Sequence, residues 1–310
     1  MTLFLAVVLP VLYWTGGIDT ASSLRQAGIE HIAVPASQAE SWKSVPGIAV
    51  EIADLESTTK LPTPGIQLHM NAASASRVPW VNSNGWQFMR RPNGRFSYDV
   101  KGNAAALAAA EAFCFGAKAL VETDPSGLTP LADMLRFLGA INSPEGPPLA
   151  DIGFIDDGSA TSAEAMNLLV RDNLLFRIVR TPSPDLKLTV QLGSKEYPME
   201  EAKNPDLLEH KIRANLTDAR RLIRIYGASV VVARITGQPG KLRVHLLNYG
   251  AAQGTRVGAF RVRILGRYSK AQLRSFDNPK AEVMDVSPEP DAFEFTVPGL
   301  KMYAVVDLTQ

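Results

Sequence analysis

Acidic residues close several short apolar runs in this 310-residue chain, and the most informative are Glu122 and Asp124 in KALVETD. Residues two apart on a strand share a face, so both carboxyl groups point one way while Thr123 points the other. Two carboxyl groups facing a common pocket are what glycosidic bond hydrolysis requires. One donates a proton to the leaving oxygen, and the other attacks or activates water. Glu122 is the first candidate for the acid, with Asp124 as a partner. Asp124 has a competing use, as N-cap of a helix starting near 128. Glu51 is the second candidate, because it interrupts the apolar run GIAVEIA. A carboxylate there is buried or lines a cavity, and desolvation would raise its pKa. Asp156 and Asp157 precede Gly158-Ser159, where capping of a helix from about 161 accounts for them.

The stretch 80–91, WVNSNGWQFMRR, mixes flat apolar rings with amides and guanidinium groups. Sugars are bound by such sets, ring faces on indole and hydroxyls on the polar groups. Asn82, Asn84, Trp86 and Arg90 are the candidates drawn from it, with Trp14 added from the end of VLYWT. The alternative is a loop that plugs one end of the fold with its tryptophans packed.

Other chemistries find little support. Gly16-Gly17 lacks the spacing of a dinucleotide loop, and neither a phosphate-binding GxxxxGK[ST] nor a GxSxG elbow occurs. Cys114 is the single cysteine, so no intrachain disulfide forms, and its setting among alanines and phenylalanines reads as a core thiol. The four histidines are scattered, which argues against a histidine-built metal site. We expect neither a metal nor an organic cofactor. Lys and Arg total 32 against 31 Asp and Glu, without a basic stripe, which disfavours nucleic acid as a partner.

These side chains need a scaffold, and the hydrophobic pattern describes one. Strand-like runs at 11–15, 30–34, 48–53, 66–70 or 78–82, 118–123, 152–156, 175–180 and 187–192 alternate with helical patterns near 20–27, 37–44, 103–115, 128–141, 161–173 and 205–215. That alternation is the signature of a parallel α/β sheet. About eight strands suit a small, irregular (β/α)8 TIM-type barrel over 1–218. The rival is a doubly wound open sheet, split into two α/β pieces near the proline-rich segment 143–150. From 219 to 310 short alternating runs predict an antiparallel β-sandwich. Its apolar face, with Leu242, Val244 and Leu246, is expected to pack on the first domain, and Arg243, Arg261 and Arg263 to mark the wet face.

The layout, with LRVHLLNYG, FRVRILG and FEFTVPGLKMYAVVDL in the last part, resembles multidomain glycoside hydrolases. The likeness is strongest over about 241–308 and architectural elsewhere, and no family's catalytic residues map onto this chain by motif. It implies a carbohydrate substrate or ligand. Against this stands a non-catalytic module that binds glycan or assembles, including with its own copies. The region 151–192 also resembles the amidotransferase-type domain beside some β-galactosidase barrels, where it is non-catalytic.

Residues 2–9 (TLFLAVVL) form an apolar run cut by Pro10. It reads as a buried strand, or as the core of an export signal without its basic start and small-residue cleavage site. The signal reading places the protein outside the cytoplasm, secreted or periplasmic, and the strand reading leaves it cytoplasmic. A membrane span would need about 20 apolar residues, so none is expected.

Overall fold

A computed structural model describes residues 8–67, 79–238 and 240–310. Most of the apolar run 2–9, His69 and part of both strand alternatives at 66–70 and 78–82 therefore lie outside the described residues. The chain opens with β1 (Val11–Tyr13), α1 (Ala21–Ala27), β2 (His31–Val34), α2 (Ala36–Lys43), β3 (Ala49–Ile52) and β4 (Thr59–Leu61). Next, β5 (Gly65–Gln67) and β6 (Trp80–Asn82) pair antiparallel. They are followed by α3 (Gly85–Arg90), β7 (Arg95–Val100), α4 (Asn103–Phe115), β8 (Lys118–Thr123) and α5 (Pro125–Ile141). The alanines of α4 favour helix, and Gly116 ends it in the left-handed conformation at φ 68°.

Six strands form one parallel sheet in the order β3-β2-β1-β8-β7-β4. This order is consecutive around a ring interrupted only between β3 and β4. In a flat sheet those two edges would stand about 24 Å apart. Residues 53–58, partly wound into a 3-10 turn at Leu55–Ser57, are too short to cross that distance and also run back along a strand. The sheet is therefore curled, with a seam between β3 and β4.

The closed eight-stranded barrel does not form among the described residues. After 143–150, β9 (Ile152–Ile155), β10 (Phe176–Ile178) and β11 (Leu188–Gln191) pair with one another in a separate parallel sheet, β10-β9-β11. Helices α6 (Ala160–Arg171), α7 (Met199–Ala202) and α8 (Pro205–Leu216) accompany them. Side-chain chemistry explains why the curl stays open. On the outer side Leu12, Ile32, Val34, Phe96, Tyr98 and Val121 pack with α4 and its neighbours. The inner side carries His31, Glu51, Lys60, Arg95, Asp99, Lys118 and Glu122, read from the strand registers. A closed barrel fills its interior with branched aliphatic side chains. This inner face cannot.

The last part contains β12 (Ile223–Tyr226), β13 (Val231–Gln238), β14 (Lys241–Asn248), β15 (Phe260–Leu265), β16 (Lys270–Ser275), β17 (Met284–Pro288), β18 (Ala292–Val297) and β19 (Tyr303–Thr309). They form two four-stranded antiparallel sheets, β12-β15-β18-β17 and β13-β14-β19-β16, which share one apolar cluster. Leu242, Val244 and Leu246 belong to that cluster, not to the contact with the α/β part. The expected packing face is thus reversed. Leu247, Tyr249, Tyr303 and Val305 join the core of the first part, and Arg243 is buried beside them. Its charge is tolerated there because carboxylates surround it, a circumstance that alternation alone does not disclose.

Candidate functional site

The inner face of the curl gathers the strongest chemistry. On β7 and β8, Asp99 and Glu122 are directly paired in parallel register and point into the hollow together. Lys60 reaches across from β4, its Nζ donating to Asp99 Oδ2 at 2.9 Å. Burial raises the Glu122 carboxyl above the usual carboxylate range, and the charge of Asp99 adds to the effect while Lys60 opposes it. Tyr13, on β1 beside them, has its hydroxyl raised by burial and by the charges of Glu122 and Asp54. One half-buried acid thus holds its proton more tightly than an ordinary carboxyl, beside a carboxylate that has its own cation.

Glu51 lies on the same face of β3, with Oε2 3.6 Å from His31 Nε2. It is exposed and lines a cavity of about 650 Å³, together with His31, Asp54, Arg95, Lys118 and Leu120. Glu122 and Glu51 lie on one face of the sheet, but Glu122, Asp99 and Lys60 are not among the residues that line this cavity. Asp124 faces elsewhere. It caps α5, accepting from Gly127 N at 3.2 Å and Ser126 Oγ at 2.6 Å. These bonds, the Ser126 hydroxyl foremost, hold its carboxyl below the ordinary value.

The binding candidates are placed by structural bonds. Trp14 donates its indole N–H to Thr20 Oγ1 at 2.9 Å, and Asn82 donates to Thr63 O at 2.8 Å. Arg90 on α3 grips Asp156 with two bonds of 2.8 and 2.7 Å and lies 5.3 Å from the Trp86 ring centre. Asp157 receives Ser159 N and Ser162 Oγ at the start of α6. Asn84 is buried and donates its backbone N–H and its amide to Glu111.

Glu111 went unread in the sequence, hidden among the alanines of α4. It is fully buried and also accepts from Ser83 Oγ at 3.1 Å and from the hydroxyls of Tyr98 and Tyr249, each at 2.7 Å. Burial raises its carboxyl above the ordinary value, and the bonds from Tyr249, Tyr98 and Asn84 offset that only in part. With Tyr249 from the last part among them, it ties that part to α4 and β7. Lys60 and Asp99 are not among the sequence candidates, because no strand is predicted from the sequence at 59–61 or 95–100, where β4 and β7 form. The alternation RFSYDV could have revealed β7.

Two further charged clusters join the parts. Glu145 accepts from Arg243 at 2.9 Å and from Thr236 Oγ1 at 2.7 Å, and pairs with His245 Nε2 at 3.0 Å. Burial opposes its ionisation, yet these partners prevail and hold the carboxyl at about 2. At the end of α6, Asp172 is raised to about 6 by burial and by the charge of Glu209. It shares a cavity of about 190 Å³ with Glu209, Arg213, Arg221 and Tyr226. Cys114 is buried, and burial pushes its thiol up to about 12, as suits a core position. No three His, Cys, Asp or Glu side chains converge to hold a metal among the described residues. No helix there is long and apolar enough to cross a membrane.

Comparison with solved structures adds the fold. Alpha-L-fucosidase isoenzyme 2 from Paenibacillus thiaminolyticus superposes with a TM-score of 0.57, over 87% of this chain and 70% of that chain, at 11% identity. The fold is glycoside-hydrolase-like. A GH42 beta-galactosidase from G. stearothermophilus aligns over 87% of this chain and 65% of that chain, with a TM-score of 0.40 and 7% identity. A maltogenic alpha-amylase from Thermotoga neapolitana reaches a TM-score of 0.27 at 10% identity, over 97% of this chain and 99% of that chain. The last two superpose too loosely to bear on the fold. No family model matches the chain, and no curated protein matches it.

Proposed function

We propose that this protein hydrolyses glycosidic bonds at the inner face of its curled sheet, with Glu122 as the proton donor. The observation that carries this reading is the Glu122–Asp99 pair. Burial and Asp99 favour the protonated form of Glu122, while Lys60 sits at 2.9 Å from Asp99. The two residues are directly paired on neighbouring strands, whose backbones stand about 4.8 Å apart, so their carboxyl groups can adopt the roughly 5–5.5 Å separation that suits a retaining displacement. In that displacement Asp99 forms a bond to the anomeric carbon as the glycosidic C–O bond breaks, and Glu122 protonates the departing oxygen. Glu122 then takes a proton from water, which attacks the same carbon and releases Asp99. We assign Glu51, on the same sheet face at β3, to bonding sugar hydroxyls. The glycoside-hydrolase-like fold supports a carbohydrate substrate. We read the two C-terminal sheets as a β-sandwich domain over 219–310 that supports α4, and the protein as one that meets its substrate outside the cytoplasm.

The test is turnover of a panel of aryl glycosides by the wild type, Glu122→Gln and Asp99→Asn. Both variants should lose activity by about 10²–10⁴-fold while melting as the wild type does. Azide should restore Asp99→Asn by replacing the lost nucleophile. Binding without turnover by the wild type across the panel would favour a non-catalytic glycan-binding module instead.

A further inference from the structure

Arg95 and Lys118 open β7 and β8 and are paired directly across the two strands. Like charges set opposite one another weaken a sheet. Neither has a carboxylate within ion-pair distance among the described residues, and their acidic neighbour Glu51 is engaged with His31. Both are exposed, and both line the cavity of about 650 Å³. Four residues farther along the same strands stand Asp99 and Glu122, about 13 Å away along the strand direction. The inner face is therefore cationic at one end of this strand pair and acidic at the other.

We propose that Arg95 and Lys118 bind an anionic substituent of an oligosaccharide whose chain runs along the inner face to Glu122 and Asp99. This rests on the hydrolytic reading of that acid pair. An arginine fork takes two oxygens of a carboxylate or sulfate ester at once, and the neighbouring ammonium adds a compact charge. Their separation from the acid pair suits an extended chain better than a single sugar ring. The cation pair is then retained, despite its mutual repulsion, because an anion relieves it.

The proposal is tested by calorimetric titration of three short oligosaccharides of equal length: an oligogalacturonate, a sulfated glycan and a neutral malto-oligosaccharide. Each is titrated into the wild type, the double variant Arg95→Gln/Lys118→Gln, and Glu122→Gln. At least one anionic ligand should bind about tenfold or more tightly than the neutral one. That advantage should vanish in the double variant, with melting temperature unchanged, and shrink as salt is raised. The anionic arm that responds identifies the substituent as carboxylate or sulfate ester. Glu122→Gln should keep the advantage. Equal affinity for neutral and anionic ligands, no binding of either anionic one, or an advantage that survives in the double variant overturns the proposal. Anion-selective binding lost in the double variant, but without cleavage of the bound chain by the wild type, upholds the anion site and overturns the hydrolytic reading instead.

Discussion

Replacing Asp172 by asparagine should make the protein more stable at neutral pH. Its carboxyl is raised from 3.8 to about 6, chiefly by burial and then by the charge of Glu209, while Arg171, Arg213 and Arg221 act in the opposite sense. A raised carboxyl binds its proton more tightly in the folded chain than in the unfolded one. Its stabilising effect is complete below about pH 4 and is lost as pH climbs through about 6. The shift is about two pH units, each worth ~1.4 kcal/mol, so ionised Asp172 costs the fold about 3 kcal/mol at pH 7. Asparagine mimics the protonated acid and never ionises. Urea denaturation of both proteins from pH 4 to pH 8 should show a small difference at pH 4. It should grow in favour of Asp172→Asn to about 3 kcal/mol by pH 7. A difference that does not change with pH would refute the reasoning. A variant less stable than the wild type at pH 7 would do the same, because it would mean that the three arginines outweigh burial.

The two inter-part anchors should behave differently. Glu111→Ala strands the hydroxyls of Tyr98 and Tyr249 and the N–H of Asn84, and should cost about 3–5 kcal/mol by chemical denaturation. Glu145→Gln should destabilise by about 3 kcal/mol at pH 7, since the carboxyl is held at about 2 against an ordinary 4.5. A depressed carboxyl loses its contribution as pH falls through that interval. The gap between Glu145→Gln and the wild type should therefore narrow below pH 4.5 and close near pH 2.

Much of the local structure was legible in the residues. Six helices and most strands of the α/β part follow from apolar spacing, Asn and Asp caps and stop glycines, with α4 ending at Gly116 as its sequence suggests. Pairing was not legible. The pattern IGFI at β9 marks a buried strand, but nothing within it says that its partners are β10 and β11 and not β8. Glu122 and Glu51 are conspicuous in the sequence, as a charge closing an apolar run and one interrupting such a run. Asp99 and Lys60 are not, since three-residue β4 beside Pro62 is too short a run to register, and the Arg91-Pro92-Asn93-Gly94 turn obscures the strand that follows it. Arg243 was misjudged for a related reason. Alternation separates two faces of a strand, but only the carboxylates of Glu145 and Asp307, brought from distant positions, let the charged face be buried as well as the apolar one.

The ring order has a consequence for how the chain is made. β1 lies between β2 and β8, so one of its two edges has no partner until residue 118 has been synthesised. At roughly 5–20 residues per second, the wait from Tyr13 to Lys118 lasts about 5–20 s on the ribosome. For most of it, the apolar outer faces of β1 and β2 lack the later helices of the cluster they finally join. A nascent chain in that interval presents an open strand edge and an uncovered hydrophobic surface at once, the combination that recruits misfolded partners and chaperones alike. The long-range β1–β8 pairing should therefore set the folding rate, and synthesis of this protein should depend on chaperone supply more than its final stability would suggest.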